Sequence, residues 1–166
     1  RQRVTYLEMN RKPSFDWPKN LKHKLSILLA ESFPAWYFLF FYKQVGKNYY
    51  WTDWLRKCED EIDEFVNDKN VLLYTLIKDG WPVGFYMLDY RKKDICDLSF
   101  FGLVDEVIGI GLGKYLLQTA ILTAWDSKKI KKLTVNTCSL DHKSAIYLYQ
   151  KYGFTPVKYK DLEKTV

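Results

Sequence analysis

The feature that most constrains this chain is a run of three glycines at every second position, Gly109, Gly111 and Gly113. An apolar segment with helical spacing, Tyr115 to Trp125, follows directly. Glycines at this spacing let the backbone approach a ligand closely, and the unpaired N–H groups of the following helix favour an anion such as a phosphate. The spacing matches neither the G-x-G-x-x-G nor the G-x-x-x-x-G-K-[ST] motif. A tight turn between a strand and a helix is the alternative interpretation.

A second motif follows a predicted intervening strand. Ala145, Tyr149, Gly153 and Phe154 stand at A-x-x-x-Y-x-x-x-G-F spacing, in a short predicted helix closed by a glycine and followed by a strand. The glycine run and this motif, in this order, resemble the acyl-CoA-binding core of the GNAT superfamily of N-acetyltransferases. The resemblance covers residues 71–160. It implies an α+β, three-layer fold with a mixed central sheet flanked by helices, and the chain length predicts a single domain over residues 1–166.

The resemblance implies acetyl-CoA as the co-substrate. Backbone groups after the third central strand would pair with the pantetheine arm, and the amides of the glycine run would hold the pyrophosphate. Ile108 stands where the family usually has Arg or Gln, and His142 where Asn is common. His142 either donates a hydrogen bond to the arm or is a first-turn helix residue with Asp141 as the cap. The residues implied for acetyl-CoA are Leu103, Val104, Ile108, Gly109, Ile110, Gly111, Leu112, Gly113, Lys114, His142 and Ala145.

Two residues are candidates for proton transfer. Tyr149 occupies the position where many GNAT enzymes have a general acid, and the alternative is that its ring packs the helix on the sheet. Period-two alternation places Asp97, Ser99 and Phe101 on one face of a strand. The resemblance implies that Asp97 accepts the amine proton, or anchors a cationic substrate, and a merely solvated carboxylate is the alternative. An Asp needs burial to become an effective base.

Aromatic residues are concentrated between the first strand and the central hairpin. Trp36, Tyr50, Trp51 and Trp54 lie in this region, which forms much of the acceptor site in GNAT proteins. Core packing is the other interpretation of these residues, and both can hold together.

Sequence patterns predict the order of the elements along the chain. The turn signals Asp79-Gly80 and Pro82 indicate a hairpin within three consecutive antiparallel strands. Gly46 is predicted to end the aromatic helix in a left-handed conformation. The predicted strands are Val4–Met9, Lys24–Leu29 (with a helix as the alternative), Val71–Ile77, Val83–Tyr90, Ile95–Val104, Leu133–Thr137 and Phe154–Tyr159; the predicted helices are 34–45, 59–67, 111–126 and 141–152.

Composition limits the remaining function classes. The net charge of +6 comes from scattered basic residues, and no nucleic-acid-binding motif accompanies it. His23 and His142 are too distant for metal-ligand spacing, so we expect no metal. Three cysteines without C-x-x-C spacing suit a reducing compartment. No segment has the length or composition of a membrane span or a signal peptide, so we expect a cytoplasmic protein that does not bind membranes.

The sequence thus predicts an acetyl-CoA-dependent N-acetyltransferase. Transfer to a primary amine of a small molecule should be direct, because no nucleophile elbow or Cys/His set is present for an acyl-enzyme. The alternatives are a protein lysine or N-terminal acetyltransferase, and a non-catalytic acyl-CoA-binding module. GNAT domains often form homodimers, which the resemblance therefore allows here.

Overall fold

A computed structural model describes residues 2–19 and 22–163 of the chain. In this part of the chain, seven strands form one mixed sheet and four helices flank it. The strands are β1 Gln2–Met9, β2 Leu25–Ala30, β3 Val71–Lys78, β4 Trp81–Asp89, β5 Ile95–Leu103, β6 Lys132–Cys138 and β7 Thr155–Leu162; the helices are α1 Ala35–Gly46, α2 Glu59–Asn67, α3 Leu112–Ser127 and α4 Ala145–Lys151. The predicted order of strands and helices is confirmed.

The sheet contains one parallel junction, between β5 and β6, among the strand pairings described. The strand order is β2-β3-β4-β5-β6-β1-β7, and the other neighbours are antiparallel. Parallel pairing joins Ile95–Asp97 to Lys132–Thr134 and does not continue beyond these residues. The two strands therefore separate after Asp97 and Thr134, which leaves a gap between them.

Helices cover both faces of the sheet. On one face, the ring of Phe41 in α1 stacks on Phe85 of β4, with centroids 5.0 Å apart. On the other face, Tyr86 of β4 donates a hydrogen bond to Thr123 of α3 at 3.1 Å. Because neighbouring side chains of a strand point to opposite faces, β4 is buried on both sides, with Phe85 and Tyr86 both fully buried. Burying one such ring contributes about 1.5–3 kcal/mol, so this double burial fixes β4 at the centre of the fold.

The predicted hairpin is confirmed at its turn. Asp79 and Gly80 have φ angles of 52° and 90°, the pair of positive values that a type I′ turn between adjacent strands requires. Pro82 lies inside β4 rather than in the turn, next to an irregularity in the β3–β4 register at Leu76 and Ile77.

Gly46 does not end α1 in a left-handed conformation, and that prediction was wrong. It is the last residue of the helix, and Lys47 follows it in the right-handed region. A Cβ atom on Gly46 would lie 2.5 Å from Cγ and Cδ2 of Trp51. Gly46 is therefore needed for the close approach of the Trp51 ring.

Helix α4 begins at Ala145 and not at Asp141 as predicted. The side chain of Asp141 turns back to β6, where it accepts hydrogen bonds from Thr137 Oγ1 at 2.8 Å and Cys138 N at 2.9 Å. Since these bonds direct the carboxylate away from the helix, Asp141 does not act as the cap of α4.

Candidate active site

A cavity of about 410 Å³ lies at the gap between β5 and β6. Its walls are β5 from Leu98 to Leu103, Asn136 of β6, part of the glycine loop, and the start and middle of α4. Elements from both faces of the sheet thus meet in one cavity, because β5 and β6 are no longer paired there.

The glycine loop forms one wall of this cavity. Gly109 and Gly111 have φ angles of 92° and 87°, which favour glycine. Gly111 is the N-cap residue, immediately before α3, and no side chain caps the helix there. A Cβ atom added to Gly109 would have no neighbouring atom within 4 Å, so the space beside this residue is open. Uncapped N–H groups at the start of a 16-residue helix are a favourable place for an anion.

The residues predicted for acetyl-CoA divide into two groups. Leu103, Ile108, Gly109, Gly113, His142 and Ala145 line the cavity. Val104 and Leu112 are buried outside the cavity, and Ile110, Gly111 and Lys114 are not among its lining residues.

His142 is held by the residue that precedes α4. Its Nδ1 atom accepts a hydrogen bond from Ser144 N at 3.2 Å and lies 2.7 Å from Ser144 Oγ. In a neutral imidazole, the nitrogen that accepts this bond carries no proton, so Nε2 is then the donor. His142 is also one of the residues that line the cavity.

Tyr149 lies in the cavity wall with 6% of its surface exposed. Its ring makes edge contacts with Phe101 at 6.2 Å and Phe154 at 5.7 Å. Burial raises the pKa of the Tyr149 phenol far above its usual value, with smaller contributions from the charges of Asp141 and Asp97. Among the described residues, no hydrogen-bond partner is seen for its hydroxyl group. Tyr149 is therefore a protonated donor at neutral pH, and it also packs α4 on the sheet.

Asp97 lies outside this cavity and lines a neighbouring one of about 610 Å³. Its carboxylate accepts hydrogen bonds from Thr134 Oγ1 at 2.6 Å and Ser99 Oγ at 2.9 Å. Burial raises the pKa of Asp97, and these two hydroxyl groups oppose the rise. Ser99 lines the first cavity and Asn136 lines both, so these two side chains connect Asp97 with the space beside Tyr149.

The predicted common face was wrong for Phe101, whereas the side chains of Asp97 and Ser99 do meet and form a hydrogen bond at 2.9 Å. The β4–β5 register shifts between Leu98 and Phe100, which leaves Ser99 as an extra residue in β5. Such a bulge interrupts the alternation of side chains. Phe101 consequently contacts Tyr149 in the first cavity, whereas Asp97 lines the second.

One of the four predicted acceptor aromatics, Trp51, reaches the cavity. Trp36 and Tyr50 are 67% and 49% exposed and line neither this cavity nor its neighbour. Trp54 also lines neither, and its ring packs 4.6 Å from that of Phe65 in the core. Of the two interpretations, core packing therefore describes Trp54.

Asp141 is a site residue that the sequence interpretation missed. It lines the cavity and accepts a hydrogen bond from Trp51 Nε1 at 3.0 Å through Oδ1, in addition to the two bonds to its Oδ2 atom. The loop after α1 is thus tied to the loop between β6 and α4. Other polar lining residues that were missed are Tyr49, Ser99, Asn136 and Ser144. The alternation in β6 was the available signal for Asn136, since it lies two residues beyond Thr134.

The described residues contain neither a cluster of metal-ligating side chains nor a membrane-spanning helix. No group of three or more His, Cys, Asp or Glu side chains in residues 2–19 and 22–163 could hold a metal ion. None of the helices in that part of the chain is long and apolar enough to cross a membrane.

Solved structures share this fold at low sequence identity. A GNAT family acetyltransferase from Elizabethkingia anophelis with acetyl-CoA bound is 22% identical, with a TM-score of 0.58, and the match covers 81% of this chain and 78% of that one. A GCN5-related N-acetyltransferase from Kribbella flavida is 15% identical, with a TM-score of 0.58 and coverage of 93% and 54%. An aminoglycoside acetyltransferase from an uncultured soil metagenomic sample, in complex with sisomicin, is 14% identical, with a TM-score of 0.60 and coverage of 86% and 94%.

The chain is shorter than several of these neighbours. It spans 54% of the Kribbella flavida structure and 59% of a conserved protein of unknown function from Staphylococcus epidermidis. Comparison with curated proteins gave no match. The sequence model of the Acetyltransferase (GNAT) family matches residues 30–154, which include both motifs and most of the cavity wall. The chain therefore belongs to the GNAT acetyltransferase family.

Proposed function

We propose that this protein transfers an acetyl group from acetyl-CoA to a primary amine of a small-molecule acceptor by direct attack. The observation that carries the proposal is the cavity at the β5–β6 gap. It brings the glycine loop, the Tyr149 phenol and the side chains that lead to Asp97 to one place. An amine and a thioester need to be held together in this way for transfer without an acyl-enzyme.

The residues of the cavity suit acetyl-CoA. The open space before Gly109 and the uncapped start of α3 favour a pyrophosphate. The backbone of Leu103, at the end of β5, is free to pair with an extended arm where β6 has moved away. His142 supplies a further hydrogen-bond donor.

Acetyl-CoA supplies an acetyl thioester, whose carbonyl carbon the acceptor nitrogen attacks, so that a C–N bond forms as the C–S bond breaks. Tyr149 is protonated at neutral pH and can donate its proton to the departing sulfur. Burial raises its pKa and so makes it a weaker acid, which means that its position in the cavity wall has to favour the transfer. Asp97 takes up the proton that the amine loses, through Ser99 or a water molecule beside it. Its raised pKa makes it a better base than an exposed Asp.

The experiment that tests the proposal measures release of free CoA thiol from acetyl-CoA with a panel of acceptors. The panel contains polyamines, amino acids, arylalkylamines, lysine peptides and an aminoglycoside, the last because one structural neighbour is an aminoglycoside acetyltransferase. Tyr149→Phe should lower kcat by about a hundredfold or more. Tyr147→Phe is the matched control, because Tyr147 lies in the same helix and is 73% exposed.

Turnover that survives unchanged in Tyr149→Phe would remove this residue from the mechanism. Binding of acetyl-CoA with no thiol release from any acceptor would support a non-catalytic module instead. Turnover restricted to lysine peptides would replace the small-molecule acceptor with a protein substrate.

A further inference from the structure

The second cavity is a polar groove built on one face of four adjacent strands. Its side chains lie in register: Asn136 of β6 is opposite Tyr6 of β1, and Tyr6 is opposite Lys158 of β7. Asp97 of β5 lies beside Thr134 in the next row. The five residues line one space of about 610 Å³, which we call the polar groove. Asn136 also lines the first cavity, so the two cavities meet at this residue.

Most charges in the polar groove are paired. Glu8 and Lys132 form an ion pair at 3.1 Å, and Asp89 binds Arg91 at 2.8 Å. Paired charges of opposite sign leave little net field for a ligand. These four residues therefore shape the groove without selecting a charged acceptor.

Three charged side chains in the groove, Asp97, Lys92 and Lys158, lack an ion pair within 4 Å in the described part of the chain. Asp97 has hydroxyl partners only, and the charge of nearby Lys92 acts on it from a greater distance. Lys158 has its ammonium group 5.0 Å from the centre of the Tyr6 ring. A cation over an aromatic face is held in place but keeps its charge available to an anion. The groove thus presents the Asp97 carboxylate with the Lys92 ammonium group in its neighbourhood, and the Lys158 ammonium group farther out on β7.

We propose that the acceptor carries an anionic group as well as its amine, and that the groove binds both ends. The inference rests on the proposed function and specifies its substrate class as an amino carboxylate or an amino phosphate. The amine lies towards Asn136 and Asp97, and the anion binds Lys158. Adjacent strands are about 4.8 Å apart, and Lys158 extends over the middle strand of the Asn136–Tyr6–Lys158 row. The two ends of the acceptor are therefore separated by a short spacer.

A polycationic acceptor fits the groove less well. Glu8 and Asp89 are occupied by Lys132 and Arg91, so a second ammonium group would have to displace one of these partners. Lys158 would repel that ammonium group in addition.

The test compares γ-aminobutyrate with its neutral isostere γ-aminobutyramide, and with the phosphonate analogue γ-aminopropylphosphonate. Binding to the CoA-saturated protein is measured by calorimetry, and turnover by release of CoA thiol. Lys158→Gln should weaken binding of the two anionic amines about fivefold and leave the amide unchanged, as expected for an exposed charge pair. Lys160→Gln is the matched control, because Lys160 is on the same strand and does not line the groove.

Equal binding of the acid and the amide, or equal losses for both in Lys158→Gln, would overturn the inference. Preference for the carboxylate or the phosphonate then identifies the anion. Calorimetry measures the difference in binding between the acid and the amide even when no turnover occurs. Thiol release that shows no discrimination between acid and amide would leave the acetyltransferase proposal standing and remove the anionic acceptor. Selective binding of the anionic amines without thiol release would support the anion-binding groove and contradict the acetyltransferase proposal.

Discussion

Gly46→Ala tests how the wall of the cavity is built. The added methyl group would lie 2.5 Å from Cγ and Cδ2 of Trp51, far inside van der Waals contact. Trp51 has no simple way to retreat, since its ring contacts Tyr42 at 5.6 Å and Phe100 at 6.1 Å and its Nε1 binds Asp141. The substitution therefore either strains α1 or expels the indole ring from the wall.

The expected cost depends on which of the two outcomes occurs. Overpacking of this kind costs about 1–3 kcal/mol if the ring stays in place. Loss of the hydrogen bond from Trp51 to the Asp141 carboxylate costs about 1.5–3 kcal/mol if the ring leaves. The better helix propensity of Ala returns well under about 1 kcal/mol at the last residue of a helix. The net loss in either case is about 1–3 kcal/mol, which for a chain of this size lowers Tm by about 2–12 °C.

The assay is thermal unfolding followed by circular dichroism, with Gly113→Ala as the control. Gly113 is also helical, and its added Cβ would lie 3.9 Å from the Leu148 side chain, an ordinary contact. Gly113→Ala should leave Tm unchanged or slightly raised. A Gly46→Ala protein as stable as the wild type would refute the reasoning, since it would mean that Trp51 is free to move at no cost.

Three further predictions concern the site itself. Folding raises the pKa of Asp97 above its unfolded value of about 3.9, so the free energy of unfolding should fall as pH rises through the raised pKa. Asp97→Asn should abolish this fall in urea titrations at several pH values, and should also remove the acidic limb of the kcat/KM profile. Asp141→Asn should destabilise the fold by about 1–3 kcal/mol in the same titrations, because an amide cannot accept all three hydrogen bonds from Trp51, Thr137 and the Cys138 backbone. Gly109→Ala should raise the KM for acetyl-CoA severalfold in the thiol assay with kcat little changed, because an Ala at a φ of 92° strains the glycine loop and its methyl group enters the open space before the loop.

The fold was predictable where the local pattern and the tertiary contacts agree. The bounds 59–67 of α2 were exact, since an acidic first turn and the inward residues Ile62, Phe65 and Val66 determine them together. The Asp79-Gly80 turn was predictable because few residues tolerate two positive φ angles in succession.

The wrong predictions have a common cause in long-range contacts. Gly46 resembles a helix cap in sequence, but its small size makes room for the Trp51 ring, which is hydrogen-bonded to Asp141 in the loop between β6 and α4. Asp141 has the sequence position of a cap, but Thr137 and the Cys138 amide lie closer to it than the helix does. The sequence around Ser99 has the polar and apolar alternation of a regular strand, and only the β4–β5 register shows that Ser99 forms a bulge.

The candidate site is divided between two parts of the chain, and this division bears on which residues select the acceptor. The glycine loop, Tyr149 and Asp97 all lie within residues 30–154, which the family model matches. Tyr6 and Lys158, the outer part of the polar groove, lie on strands outside that range. The chemistry shared by a family depends on backbone geometry and on a few buried groups, whereas acceptor choice depends on side chains that can vary without disturbing them. Strands β1 and β7 are joined to the core through β6 alone in the sheet order, so their groove-facing residues can change while the β5–β6 gap is preserved. The acceptor of this protein is therefore to be sought from the charges of β1 and β7 rather than from the motifs that identify its family.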